Sequence, residues 1–366
     1  MKHKISSQNR QDVLQLSLFE EQINSNSKSL LNKFADEILS QTNLTKKALF
    51  LRKLKASKGY KRYLGSPLRY GGGKSLAVGS IIEHLPDTIV KAVSPFIGGG
   101  SVEIALAKEL EIEVIAYDIF EMLVNYWQVQ ISQPKELYER LSQIPNTKEE
   151  YEKIKNLLKQ IWNKKEGLLP NNYSNLELAA FYYFNHNLSY GPGFLGWMSS
   201  IYTDRKRYEA MLEKVRNFHV PKLSVYRESF ETSIPKHNRD FLYLDPPYFL
   251  DGDSKMFKGI YPMRNFPIHH NGFKHDLLAE LLKKHKGGFI LSYNDCSWVR
   301  ETYKDFEIIE IAWQYTMGQG ETRIGKNRKE RDFDNQHIKT SHELLIISKK
   351  NIFSKADYSI SANSKP

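Results

Sequence analysis

The chain has 366 residues, of which 40% are hydrophobic and 12% aromatic, and its 53 Lys and Arg against 42 Asp and Glu give a formal net charge of +11. This composition supplies enough apolar material for one large domain or two moderate ones, and it excludes a disordered chain. No apolar run approaches the ~18 residues of a membrane span, the first residues lack the apolar core of a signal peptide, and the single cysteine, Cys296, excludes an internal disulfide or a Cys-based zinc site, so we expect a cytoplasmic protein without a membrane partner.

The net positive charge is concentrated at the start of the chain. Residues 1–75 hold 15 Lys and Arg but only 5 Asp and Glu, and no acidic residue lies between Glu37 and Glu83. Such an acid-free stretch is typical both of a segment that binds a polyanion and of a solvated basic helix, and composition alone does not separate the two. Because apolar residues recur at helical spacing from Leu30 to Leu39, we predict that residues 1–62 form a basic, largely helical extension.

From residue 88 onward, short β-branched runs alternate with helical ones, which is typical of an α/β sheet built from crossover units. The helices predicted within this part cover residues 101–110 and 274–286. The predicted strands cover residues 89–93, 113–117, 241–244, 289–292, 307–312 and 344–348.

Residues 132–225 interrupt this alternation with a helical, charged and aromatic segment. We therefore predict a mainly helical inserted domain between the two parts of the sheet domain, residues 63–131 and 226–350. A polar tail follows at residues 351–366.

The first chemical motif is Asp245-Pro246-Pro247-Tyr248, directly after the apolar strand at residues 241–244. In open α/β sheets, ligands bind at the carboxyl ends of strands. The two prolines make the turn rigid, so that the Asp245 carboxylate and the Pro246 carbonyl present two acceptors that suit an NH2 group, such as the exocyclic amine of adenine. Tyr248 can stack on a base taken out of a duplex. The alternative is an ordinary strand-to-loop turn in which Asp245 caps the chain and Tyr248 packs.

The second motif is the glycine-rich turn at residues 95–101, in which Gly98 and Gly100 let the backbone approach a ligand at a helix N-terminus. It lacks the dinucleotide-binding pattern, because Glu103 stands where the third glycine should be. Asp118 closes the second strand near the spacing at which an acidic residue meets ribose hydroxyls. Together they suit an adenosine cofactor that carries amino-acid groups and no pyrophosphate, S-adenosylmethionine. A helix N-cap is the alternative for Asp118.

The third motif is the loop at residues 69–75, whose Gly73-Lys74-Ser75 suggests a P-loop. Leu68 occupies the position where a P-loop needs glycine, so we reject an ATPase. We predict instead that this loop forms a second wall of the site, with Tyr70 as an apolar platform and Lys74 as a fixed cation. The alternative is a flexible surface turn.

In this order, the three motifs resemble the Dam-type DNA adenine-N6 methyltransferases, the α arrangement of the amino-methyltransferases. The resemblance covers roughly residues 66–350. It implies a Rossmann-like methyltransferase sheet with helices on both faces and a target-recognition domain in the insert. It also implies S-adenosylmethionine as the cofactor and a flipped adenine held by Asp245, Pro246, Pro247 and Tyr248. By the same resemblance, the cofactor site contains Tyr70, Lys74, Phe96, Gly98, Gly100, Asp118, Phe230 and Asp245.

Two departures from the family's pattern concern the cofactor contacts. The family often has Asn two residues after the position of Asp118, where this chain has Phe120. An Asp-Phe pair of the family is here Ser229-Phe230.

Other parts of the chain match the family's pattern. Residues 289–295 match the strand after the catalytic loop, and residues 318–323 and 342–346 match the closing hairpin.

The insert then becomes the expected reader of the DNA sequence, because Arg and Asn are the usual bidentate readers of G and A, while Lys more often meets phosphate. The insert also contains the aromatic residues Tyr182, Tyr183, Phe184 and Trp197. For these, packing within the small domain is favoured over binding to DNA. The predicted DNA-binding residues are Asn187, Arg205, Lys206, Arg207, Lys214 and Arg216.

After Tyr248, the long aperiodic loop at residues 250–271 predicts a mobile lid that orders on DNA. It contains His269 and His270, but without Cys or an obvious third ligand we expect no metal site.

The resemblance implies an enzyme that transfers a methyl group from S-adenosylmethionine to N6 of a flipped adenine in duplex DNA, in a restriction-modification or epigenetic-marking role. A cognate restriction endonuclease is the candidate protein partner. Two alternatives stay open: an RNA adenine-N6 methyltransferase and a catalytically silent DNA-binding regulator. The basic extension predicts that deleting residues 1–62 weakens DNA binding on all sequences and flattens its salt dependence.

Overall fold

A computed structural model describes residues 46–57, 59–163, 172–191, 193–250, 272–311 and 343–348. The predicted helical pattern at residues 30–39, the lid residues 251–271 with their two histidines, residues 318–323 and the polar tail lie outside the described residues.

Within the described residues, seven strands form one sheet in the order β3-β2-β1-β4-β5-β7-β6. β7 runs antiparallel to both of its neighbours, β5 and β6, and the pairings among β3, β2, β1, β4 and β5 are all parallel. The strands are β1 (Lys91–Ser94), β2 (Glu113–Asp118), β3 (Leu223–Arg227), β4 (Phe241–Leu244), β5 (Phe289–Asn294), β6 (Glu307–Ile311) and β7 (Glu343–Ser348).

Alternate residues of the strands enter two separate apolar cores, one on each face of the sheet. Along β4, Phe241 and Tyr243 belong to one core, whereas Leu242 and Leu244 belong to the other. A sheet buried on both faces explains why the central strands read as continuous apolar runs. The architecture is the predicted Rossmann-like α/β fold with helices on both faces.

The helices are α1 (Lys46–Leu54), α2 (Val78–Glu83), α3 (Ser101–Ile104), α4 (Glu121–Ser132), α5 (Pro134–Ser142), α6 (Lys148–Asn163), α7 (Asn175–Leu188), α8 (Arg205–Arg216), α9 (Phe230–Lys236), α10 (His275–Lys284) and α11 (Ser297–Thr302). The helix predicted at residues 101–110 is α-helical only to Ile104 and continues as a π-helical turn, Ala105–Glu109. No helix among the described residues is long and apolar enough to cross a membrane.

Strand β3 was not predicted, and the predicted end of the insert at residue 225 falls inside it. Only Leu223 and Val225 are buried in this edge strand, while Tyr226 and Arg227 are exposed. Two buried positions in five residues are too weak a pattern to separate a short strand from a loop.

The helices of the insert share their apolar core with the sheet. Tyr182 and Tyr183 of α7 are buried and contact the Tyr126 ring of α4 at centroid distances of 5.9 and 5.6 Å. Phe184 is fully buried as well, so packing is confirmed for these aromatics. Trp197 is the exception, because 77% of it is exposed.

The part of the basic extension from Phe50 onward is packed against the sheet domain rather than separate from it. Phe50 and Leu54 of α1 are buried in the apolar core, and the Phe50 ring meets the edge of the Tyr63 ring at 5.5 Å. The Tyr63 N–H donates to the Ser75 carbonyl at 2.8 Å. This segment therefore reaches the loop that contains Lys74.

Candidate active site

A cavity of about 310 Å³ lies at the carboxyl ends of β1 and β4, where the strand order of the sheet reverses. Such a reversal opens a crevice between the loops that leave the two strands in opposite directions. All three sequence motifs line it: the loop around Lys74, the glycine-rich turn after β1, and the Asp245 turn after β4.

The glycine-rich turn is packed directly under the Tyr70 ring. Gly98 and Gly100 have φ angles of +44° and +66°, in the left-handed region that favours glycine. A Cβ on Gly99 would lie 2.6 Å from the Cβ of Tyr70. A side chain at position 99 would therefore collide with Tyr70, so glycine lets the turn and the Tyr70 loop approach each other. Tyr70 closes one side of the cavity.

Asp118, at the end of β2, is held by the same turn. Its two carboxylate oxygens accept hydrogen bonds from the Gly98 N–H at 3.3 Å and the Phe120 N–H at 3.0 Å. Burial raises the pKa of Asp118 to about 6, although these backbone hydrogen bonds oppose the rise. The Phe120 side chain packs on Trp162 and Phe194, so the residue that replaces the family's Asn belongs to the core.

Lys74, which is buried, and Asp245, whose side chain is 22% exposed, form an ion pair across the cavity. The Lys74 Nζ lies 2.7 and 2.9 Å from the two carboxylate oxygens of Asp245 and also donates to the Gly72 carbonyl at 3.1 Å. Burial raises the pKa of Asp245, and the charge and hydrogen bond of Lys74 partly oppose this rise. The prediction that these motifs meet therefore agrees with the geometry.

Tyr248 is buried at the base of the same turn, and its hydroxyl donates to the Glu343 Oε2 at 2.6 Å. Its ring lies 4.9 Å from the Lys74 Nζ and is stacked on the Tyr293 ring at 6.1 Å. Sequence reasoning placed residues 342–346 in a hairpin but gave Glu343 no role. A charged residue at the start of the apolar run LLII is the signal that could have found it.

Glu103 is a second buried carboxylate that sequence reasoning missed. It lines the cavity from α3 and accepts a hydrogen bond from the Ser94 hydroxyl at 2.6 Å. Burial raises the pKa of Glu103 to about 8. The signal was visible as a lone acid in the apolar helix sequence SVEIALA.

Three phenylalanines form the apolar wall of the cavity. Phe96 and Phe230, both predicted, lie 5.7 Å apart between ring centroids, and Phe273 lies 5.8 and 5.1 Å from them. Phe273 was not predicted, since it follows a long aperiodic stretch with no motif of its own. At the rim, the Lys274 Nζ lies 3.1 Å from the Glu231 carboxylate.

The predicted DNA-binding residues do not line the cavity. On α8, Arg205 is paired with Glu209 at 2.8 Å and Arg216 with Glu213 at 3.5 Å. The other three basic residues of this helix are exposed: Lys206, Arg207 and Lys214.

Asn187 is a correction to the predicted DNA-binding set. It is fully buried, its Oδ1 accepts from the Arg69 N–H at 2.9 Å, and its Nδ2 donates to the Pro67 carbonyl at 3.1 Å. Both ends of the amide are engaged with the backbone, so Asn187 holds the segment before the Lys74 loop rather than a base.

The comparisons with known proteins agree with this geometry. Residues 70–317 match the family model described as D12 class N6 adenine-specific DNA methyltransferase, so the match begins at Tyr70, on the wall of the cavity. A curated relative, the Type II methyltransferase M1.LlaDCHI of Lactococcus lactis subsp. cremoris, is 24% identical over 279 residues, which cover 70% of this chain and 91% of the relative. A match over most of the chain, together with the motifs meeting at one cavity, shows that the chain belongs to the D12 class of N6 adenine-specific DNA methyltransferases.

Proposed function

We propose that this DNA adenine methyltransferase binds S-adenosylmethionine in the cavity between the turns of β1 and β4 and holds a flipped adenine against residues 245–248. The observation that carries the proposal is the ion pair between the buried Lys74 and Asp245. It fixes the acceptor group of the Asp245 turn beside the glycine-rich turn, so that a cofactor and a base amine can meet between them.

The residues present suit S-adenosylmethionine. Gly98, Gly99 and Gly100 line the cavity and add no side chain of their own, so the backbone of the turn is open to a ligand beside the Tyr70 ring. The Asp118 carboxylate is placed to accept from ribose hydroxyls, and the rings of Phe96 and Phe230 offer an apolar surface for an adenine. When bound, this cofactor supplies an electrophilic methyl group on a sulfonium.

Toward the target base, the Asp245 carboxylate and the Pro246 carbonyl accept hydrogen bonds from the two N6 protons of the adenine. These bonds favour the amine with a localised lone pair. Because burial raises the pKa of Asp245, its carboxylate is a better acceptor for the proton that N6 loses, and that proton passes to Asp245 or to water. Tyr248 stacks on the base and offsets part of the cost of flipping.

We propose that two basic surfaces bind the DNA backbone, helix α8 and the segment 50–62, and that the second contributes more. On α8, two of the five predicted basic residues are already paired with acids of the same helix. In the segment 50–62, by contrast, Arg52, Lys53 and Lys61 are exposed, and within the described part of the chain no carboxylate pairs with them. Segment 50–62 holds six basic and no acidic residues, whereas α8 holds five basic and two acidic residues. Because the affinity for phosphate grows with the number of cations that meet it, this segment is the stronger candidate.

The test is methyl transfer from labelled S-adenosylmethionine to unmethylated duplex DNA and to structured RNA, with the product base identified. Transfer to N6 of adenine in DNA is expected, and Asp245→Ala should lower the rate by at least ~10²–10³-fold. Asp305→Ala, at an exposed position, is the matched control and should keep the wild-type rate. An Asp245→Ala variant that stays near the wild-type rate contradicts the roles given to the turn, and transfer to RNA alone contradicts the DNA substrate.

We further propose a cognate restriction endonuclease as partner and the cytoplasm as the location of the reaction. The support for the partner is that the curated relative is named a type II methyltransferase. Long-read sequencing of DNA from cells that express the protein would map the methylated site. That DNA should then resist an endonuclease that cuts the mapped site. Cleavage as fast as that of unmethylated DNA would exclude protection.

A further inference from the structure

Glu343 is a buried acidic residue at the start of β7. Its side chain is 0% exposed, and in the sheet it is opposite Asn294 of β5 and Ile311 of β6. A carboxylate without water needs strong donors around it. The residue lies beyond position 317, where the family match ends.

The hydroxyl of Tyr248 donates to Glu343 at 2.6 Å, which is a short hydrogen bond for an O–H donor. The Ser292 hydroxyl lies farther away, at 3.5 Å. The Lys74 Nζ lies 4.0 Å from the same Oε2 while it holds Asp245 at 2.7 Å. Glu343 therefore meets the Asp245–Tyr248 turn at its last residue.

A hydrogen bond at the hydroxyl anchors the far end of a tyrosine side chain and so fixes where the ring lies. Rotation of the ring about its long axis leaves the oxygen in place, so that rotation is limited by ring packing instead. Tyr248 has its ring stacked on Tyr293 and its hydroxyl held by Glu343. These contacts come from β5 and β7, which are paired strands of the sheet. The ring is thus held by the rigid sheet as well as by its own loop.

We infer that Glu343 is a positioning residue of the methyl-transfer reaction: it anchors the Tyr248 hydroxyl and so holds the ring at the place where it stacks on the target adenine. The inference rests on the proposed function, in which Tyr248 contacts the base. Glu343 itself touches neither base nor cofactor in this role and acts through the Tyr248 hydroxyl.

A double-mutant cycle tests this directly. Glu343→Gln keeps the size of the side chain and an acceptor oxygen but removes the charge, and Tyr248→Phe keeps the ring but removes the hydroxyl. Each single variant should lower kcat by about tenfold, since each weakens or removes one charge-assisted hydrogen bond. The double variant should be no slower than the slower single variant, because both changes act on the same bond.

Three measurements accompany the cycle. Calorimetry without DNA should give an affinity for S-adenosylmethionine within about threefold of wild type, and the melting temperature should show that each variant is folded. Glu310→Gln, on the neighbouring strand β6 and exposed, is the matched control and should keep the wild-type kcat.

Effects that multiply to about a hundredfold in the double variant would overturn the inference, because Glu343 would then act elsewhere than on the hydroxyl. A Glu343→Gln variant with wild-type kcat would overturn it too. If that variant keeps kcat but loses affinity for the cofactor, Glu343 acts on Lys74 and not on Tyr248. A wild-type protein that transfers no methyl group to DNA would instead contradict the proposed function, so the two failures are distinguishable.

Discussion

The basic segment near the start of the described chain gives a quantitative prediction for DNA binding. Four of its exposed residues, Arg52, Lys53, Lys55 and Lys61, are to be changed together to Gln. Each phosphate contact contributes about 0.9 to the slope of log affinity against log salt. If all four meet phosphates, the slope should become shallower by ~3.6, so that the loss of affinity between 50 and 200 mM salt should shrink by ~150-fold.

The assay is a titration of fluorescent duplex DNA at several salt concentrations, with both a site-containing and a random sequence. A control variant carries four changes to Gln as well, on three other helices or their ends, at Lys135, Lys159, Lys283 and Lys286, which are exposed. The control separates local phosphate contacts from the general effect of net charge. If the control flattens the slope as much as the test variant, or if the test variant changes which site is methylated, the segment is not a phosphate-binding surface.

Substitution is a cleaner perturbation than the deletion of residues 1–62 that the sequence suggests. Such a deletion removes Phe50 and Leu54 from the apolar core, so it perturbs the fold as well as the charge. Deleting residues 1–45 removes five basic and five acidic residues and leaves the net charge unchanged. The charge excess of the extension therefore belongs to residues 46–62.

Three further predictions concern buried polar groups. Lys74→Met removes the cation that lowers the pKa of Asp245, so the acid limb of the kcat/KM profile against pH should move to higher pH, and an unmoved limb would exclude Asp245 as the titrating group. Asn187→Ala leaves the Arg69 N–H without its acceptor and should lower the free energy of unfolding by ~1–3 kcal/mol in urea titrations, with the methylated site unchanged. Because the folded chain holds a proton on Glu103 up to a pKa of about 8, against 4.5 for the ordinary group, wild-type stability should fall as pH rises from 5 to 8. Glu103→Gln should flatten this fall in melting scans and gain ~2–4 kcal/mol at pH 9, and a decline parallel to wild type would refute the assignment.

The parts of the fold that could be predicted are those whose signal is local. The strand at residues 241–244 is four apolar residues that end in Asp-Pro-Pro, so its pattern and its end are both visible in the sequence. The glycine-rich turn is equally local, because its φ angles restrict the residues that can occupy it. The parts that were missed, such as β3, depend on which neighbour a short strand finds in the sheet.

For the site, residue types could be predicted from the sequence but their partners could not. Lys74 and Asp245 are 171 positions apart, and Tyr248 and Glu343 are 95 apart, so no periodicity connects them. For Asn187 the predicted partner was wrong: an amide near a basic cluster suggested a base contact, whereas the buried amide is hydrogen-bonded to the backbone of Pro67 and Arg69. Composition locates polar residues, but burial decides whether they face a ligand or the protein itself.

The protonation states of the acidic side chains around the cavity depend on one another, because their charges interact through Lys74. Lys74 is the cation among Asp245, Glu343 and, in the same cavity wall, Glu103. Were Glu103 ionised as well, Lys74 would lie among three carboxylates, and the charge of Asp245 indeed contributes to raising the pKa of Glu103. Keeping Glu103 protonated at neutral pH leaves Lys74 with its partners Asp245 and Glu343 and a site that favours positive charge. That suits a reaction in which a cationic cofactor binds and the positive charge then moves onto the adenine amine beside Asp245.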